Sequence, residues 1–271
     1  MHKRTVPTLL LSLLLVGCAT TDGYGEFFRL ASGVDPTTIA ARRADPPPAR
    51  PTLVRLDGPF DRSVEGYYLR EGYTLVAYST FTTGYRQHDS NAVKAGKVVH
   101  PDLVVVSAPR FARSITSSVP LTLPSTTTSY TSGEATAYGP AGPVVAFGNS
   151  TTTTYGSSTT YMPMTVNRFQ YGAFYFVKMK WHLGVICRDL SDQERQALQT
   201  NYGCYVTLVV DGTPGYESGI LPGDIITAVD GLPVEGYPGL VQVASDYVGQ
   251  AITLTIARQG KTITKSVVQR R

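Results

Sequence analysis

Between Ser114 and Val166 only Glu134 carries a charge, in a tract crowded with Ser, Thr, Tyr and Gly. This composition constrains folding more than any other feature of the chain. One reading is a disordered, glycosylated low-complexity segment. The other is long hairpin arms, since Thr and Tyr favour strands and Thr151 to Tyr155 and Ser157 to Tyr161 are two such runs separated by Gly156. The tract flows into Phe174-Tyr175-Phe176-Val177-Lys178-Met179-Lys180, which alternates like a half-buried strand. This continuity selects the arms, and their uncharged edges are expected to be paired or covered.

Upstream, Tyr73 to Phe81 is rich in aromatic and β-branched residues and reads as a strand. The polar break Gln87-His88-Asp89-Ser90 can cap a short helix through Ala92, Val93, Ala95 and Val98 that Pro101 stops. Leu103-Val104-Val105-Val106 is then a buried strand, which makes a βαβ unit with parallel strands in one sheet. Pro36, Pro46-Pro47-Pro48, Pro51 and Pro59 sit among small and charged residues, so 31–57 reads as a semi-rigid tether. The competing reading is a coil packed over the first domain through Leu53, Val54 and Leu56. The expected organisation is a leader over 1–17, a tether over 18–57, an α/β domain with β-rich arms over 58–180, and a second domain over 181–271.

At the N-terminus, His2, Lys3 and Arg4 precede the apolar run Leu9 to Val16, which is too short to span a bilayer as a helix. Leu15-Val16-Gly17-Cys18 resembles the lipobox of bacterial lipoproteins. That resemblance implies cleavage before Cys18, acylation of its thiol by fatty acids such as palmitate, and an anchored protein facing the periplasm. Ala19 stands where an aspartate would retain the protein at the inner membrane, so the resemblance implies the inner leaflet of the outer membrane.

The C-terminal third holds a second set of motifs. Trp181-His182-Leu183-Gly184-Val185 is followed by a helical segment Ser191 to Gln199, a strand Gly203 to Val210 and Thr213-Pro214. Then comes Gly219-Ile220-Leu221-Pro222-Gly223-Asp224-Ile225-Ile226-Thr227-Ala228-Val229-Asp230-Gly231. Pro222 presets φ for a turn, Gly223 permits positive φ, Asp224 can bond back to turn amides, and Asp230-Gly231 is a hairpin-type turn. The order resembles the PDZ domains appended to serine proteases of the high-temperature-requirement family. The overall class implied is α+β, ending in a partly open β-barrel with two helices. The resemblance makes Leu183, Gly184, Val185 and Ile186 the loop and strand that receive a peptide's C-terminal carboxylate as the peptide adds a strand. Leu240, Val243 and Ala244, on a helix over 239–246, are the expected pocket residues, and Lys178 or Lys180 can assist the carboxylate. His182 and Tyr216 depart from the family pattern. Cys187 and Cys204 fall on neighbouring strands, which leaves a disulfide and two buried thiols both open.

Catalysis is not expected. Gly148-Asn149-Ser150 matches the start of the nucleophile motif of those proteases, but Thr151 and Thr152 replace the glycines that shape the oxyanion loop. His88, His100 and His182 lack the context of the catalytic base, and neither histidines nor cysteines have metal-ligand spacing, so no cofactor is implied. Lys and Arg exceed Asp and Glu by 4, without clustering, which argues against nucleic-acid binding. Two function classes remain: a non-catalytic adaptor for C-termini or extended segments of envelope proteins, including one that serves a periplasmic protease, and a structural or assembly lipoprotein whose groove is filled internally.

Overall fold

In a computed structural model the described residues are 22–270, so the leader and Cys18 lie outside them. Two compact units result, one of residues up to Arg110 together with Gln170–Arg271, the other of Phe111–Phe169. The boundary expected at 180/181 falls inside the first unit.

The N-terminal part of the first unit is built on a sheet of β1 (Phe28–Leu30), β2 (Thr52–Leu56), β3 (Tyr73–Thr83), β4 (Leu103–Gly139) and β5 (Gly142–Lys178), in the order β1-β3-β5-β4-β2. Leu103 to Val106 are all buried, because this stretch of β4 is a central strand covered on both faces. On one face Tyr68 of α3 (Arg62–Arg70) meets Phe176 at 5.2 Å, and Phe60 stacks on Phe174 at 3.6 Å. On the other, Tyr24 of α1 (Gly23–Glu26) packs edge-on against Phe81 at 5.2 Å. The Tyr24 carbonyl there accepts from the buried Ser79 hydroxyl at 2.8 Å. Burial pushes the Tyr175 phenol up to about 12.

Two expectations need correction. The segment read as a tether instead supplies β1, helix α2 (Pro36–Arg42) and β2, and β2 pairs in parallel with β4 from Thr52↔Leu103 to Leu56↔Ser107. Asp35 caps α2 by accepting from the Thr37 amide, and Arg43 is fixed by Asp102 and the His100 carbonyl. Pro36 opens α2 at a position where its missing N–H is not needed, and the other prolines sit between elements, where no ladder hydrogen bond is asked of them. The strands flanking α4 (Asp89–Ala95) do share a sheet, but they are not neighbours, because β5 returns between β3 and β4.

The C-terminal part carries β6 (Val185–Asp189), α5 (Asp192–Leu198), β7 (Cys204–Val209), α6 (Pro214–Glu217), β8 (Ile225–Val229), β9 (Leu232–Pro233), α7 (Gly236–Asp246), β10 (Ala251–Arg258) and β11 (Lys261–Val268). The sheet order is β11-β10-β8-β7-β6, with β9 paired to β8. Three helices stand where two were expected, the additional one being the single turn α6. Ser191 and Glu194 form a capping box on α5, and bonding from Arg188 holds the Glu194 carboxyl down at about 2. The core gathers Val206, Ile226, Val229, Leu254 and Ile256, all fully buried. The arms of residues 111–169 are a hairpin, as the strand reading of the uncharged tract expected.

Candidate functional site

β6 ends its sheet, with β7 on one side and, among the described residues, no strand on the other. In an antiparallel ladder, alternate residues bond inward and outward. The Gly184 carbonyl accepts from the Val210 amide at 2.8 Å, and Ile186 lies opposite Leu208. Val185, between them, therefore turns its amide and carbonyl to the open edge. Helix α7 runs beside this edge, making a groove whose floor can hydrogen-bond an added strand.

The loop at the head of the groove owes its shape to Gly184. Its φ is +76°, and a Cβ there would lie 2.0 Å from the Thr213 hydroxyl oxygen and 2.3 Å from the Thr213 Cβ. Thr213 is buried and donates its hydroxyl proton to the Val210 carbonyl at 2.6 Å. The Gly215 amide donates to the Leu183 carbonyl at 2.8 Å, so the turn leading into α6 clamps the loop from behind. His182 joins the loop to the last strand's exit: its Nδ1 lies 2.8 Å from the Arg270 carbonyl oxygen, and the Arg270 amide donates to the His182 carbonyl at 3.2 Å. Tyr216 is exposed.

At the far end, Asp189 accepts from the Tyr237 amide at 3.3 Å and crowds Gly236, fixing the start of α7 against the end of β6. Burial raises the Tyr237 phenol pKa, and the nearby charge of Arg42 opposes that shift. Of the anticipated pocket residues, Leu240 is buried in the core, whereas Val243 and Ala244 are half-buried on α7 and Ile186 is half-buried on β6. Leu183 and Val185 are core residues, and Val185 meets the open edge through its backbone rather than its side chain. The Lys178 ammonium sits over the Tyr73 ring at 5.5 Å and Lys180 is exposed.

The turn motif is structural. Asp224, 2% exposed, accepts from the Leu221 amide at 2.9 Å and from Arg258 at 2.6 and 2.8 Å, while Arg258 also donates to the Gly219 carbonyl at 2.8 Å. Asp230 and Gly231 both have positive φ, +48° and +81°, as a type I′ hairpin needs. A family model described as PDZ domain matches over 182–268. Residues 182–268 form a PDZ domain.

The PDZ domain is similar to part of the periplasmic serine endoprotease DegP of Salmonella typhimurium, at 32% identity over 85 residues, and of Escherichia coli K12, at 30% over 84. Each match covers 30% of this chain and 18% of the relative. The chain thus spans less than a fifth of those relatives' length. Among solved structures, an HtrA-type protease AlgW with decapeptide aligns at 23% identity and a TM-score of 0.28, covering 36% of each chain.

Cys187 and Cys204 form a disulfide inside the PDZ core with a Cα–Cα separation of 5.6 Å. They are not directly opposite: Cys187 pairs with Val206 and Cys204 with Asp189, beyond a register shift between Ile186 and Cys187. The bond therefore runs diagonally and ties the groove strand to β7. Thr213 escaped sequence reasoning as a site residue. The only local signal was its place before Pro214 at a helix start.

Proposed function

We propose that this protein is a non-catalytic adaptor of the cell envelope whose PDZ domain captures the free C-terminus or an extended segment of envelope proteins in the β6–α7 groove. The open edge of β6 is the observation that carries this reading, because a bound peptide continues the sheet there while the Leu183 to Val185 loop receives its carboxylate. The PDZ relationship to periplasmic proteases supports the envelope location. In this reading an acylated Cys18 anchors the chain to the inner leaflet of the outer membrane, and the captured segments are those exposed on misassembled proteins. A periplasmic protease is a partner to which such segments would be handed.

A structural or assembly role is the second reading. It is favoured by direct bonding to the upstream sheet domain, from the PDZ domain and from the residue just before it: the Asp211 amide donates to the Arg70 carbonyl at 2.8 Å and Trp181 Nε1 to the Gly72 carbonyl at 3.2 Å. The two readings separate in a binding experiment. Fluorescence anisotropy of the full chain against a library of decapeptides should find apolar C-termini bound as free acids and weakened when amidated, since amidation removes the charge that the loop amides address. Equal affinity for acid and amide would mean internal strand recognition. Binding of no peptide would refute the adaptor.

A further inference from the structure

The hairpin of residues 111–169 is a compact unit of its own. Its register is fixed by side-chain hydrogen bonds between Ser114 and Asn167 at 2.8 Å, Thr116 and Thr165 at 2.8 Å, and Thr122 and Thr159 at 3.0 Å. These pairs put hydroxyl and amide groups on one face. With side chains alternating every residue, Ile115, Val119, Leu121 and Leu123 of β4 join Met162, Met164 and Val166 of β5 on the other. All seven are exposed, between 36% and 54%.

The apolar band approaches, and falls somewhat short of, the height of the apolar belt of membrane barrels. From Ile115 to Leu123 it runs ~26 Å at ~3.3 Å per residue. Tilted by ~40°, as strands of membrane barrels are, that becomes ~20 Å along the normal, near the ~25 Å apolar belt of such barrels. Below the band the same register sets Arg113 opposite Arg168. Like charges directly across a ribbon are unfavourable in water, whereas long cationic side chains suit an anionic headgroup layer. Above it, Ser125 faces Gly156, where a Cβ would lie 3.3 Å from the serine oxygen, and the polar character resumes.

The edges point to what completes the ribbon. Pairing of β2 with β4 ends at Ser107, and within the hairpin neither outer edge has a partner strand among the described residues. A lone two-stranded ribbon is marginal in water, and with Glu134 as the only charge between 114 and 166 its edges are guarded by no row of charges, only by Pro120, Pro124, Pro143 and Pro163. A second copy of the chain offers an edge of the same length and the same alternation. Only closure of such a series removes every edge. No helix among the described residues is long and apolar enough to cross a membrane.

We propose that the hairpins of several copies of this chain pair edge to edge into a closed β-barrel that spans a bilayer, with the Ile115–Leu123 band against lipid acyl chains and the Ser/Thr face lining the interior. This does not depend on the peptide groove. Full-length protein reconstituted into phosphatidylethanolamine/phosphatidylglycerol planar bilayers should give stepwise ion conductance, and on gels an oligomer that resists detergent until heated. Leu121→Arg, on the lipid face, should lower the frequency of insertion events at least ~30-fold. Thr122→Arg, one residue away on the interior face, should still insert and shift selectivity toward anions. The proposal is overturned by a wild-type chain that never conducts, by an oligomer equally stable in lipid-free buffer, or by equal loss of insertion in the two variants.

Discussion

Replacing Gly184 by alanine tests how the head of the groove is built. Two costs are visible. Holding a non-glycine residue at φ +76° costs ~1 kcal/mol. The new Cβ, 2.0 Å from the Thr213 hydroxyl oxygen, also forces that side chain out of place. Moving it breaks the buried bond to the Val210 carbonyl, which costs ~1–3 kcal/mol. Gly184→Ala should therefore destabilise the protein by ~2–4 kcal/mol in urea unfolding. Gly184→Val is worse, so loss of peptide binding in that variant would report an unfolded loop rather than a blocked carboxylate. Thr213→Gly removes the obstacle, and in that background Gly184→Ala should cost only the ~1 kcal/mol of backbone strain. A Gly184→Ala cost that is the same with and without Thr213 would refute the clamp.

Two further outcomes are expected. The disulfide closes 17 residues and stabilises the PDZ domain by ~3 kcal/mol in the chain-entropy model, so reduction should lower its melting temperature by ~10 °C or more, and alkylation in denaturant without reductant should modify neither Cys187 nor Cys204; modification of both would mean free thiols. Cys18→Ser should abolish incorporation of labelled palmitate into the chain, because the serine hydroxyl cannot replace the thiolate nucleophile, and normal labelling of that variant would end the anchoring proposal.

What the sequence determined by itself is local. Pro222, Gly223, Asp230 and Gly231 dictate their turns through allowed φ and ψ, within windows of four residues, and those turns lie where the motif puts them. The capping box of α5 and the alternation of the arms are legible for the same reason. Tertiary structure decided what depends on partners far away in the chain. Thr52 to Leu56 is too short and too proline-flanked to announce a strand, and becomes one only because β4 offers it an edge some fifty residues later. The position of β5 between β3 and β4, the Arg258 that neutralises buried Asp224, and the register shift that sets Cys187 diagonal to Cys204 are likewise outcomes of long-range packing. A side chain's own conformational limits are written beside it, whereas the surface it will be buried against is supplied by the whole fold.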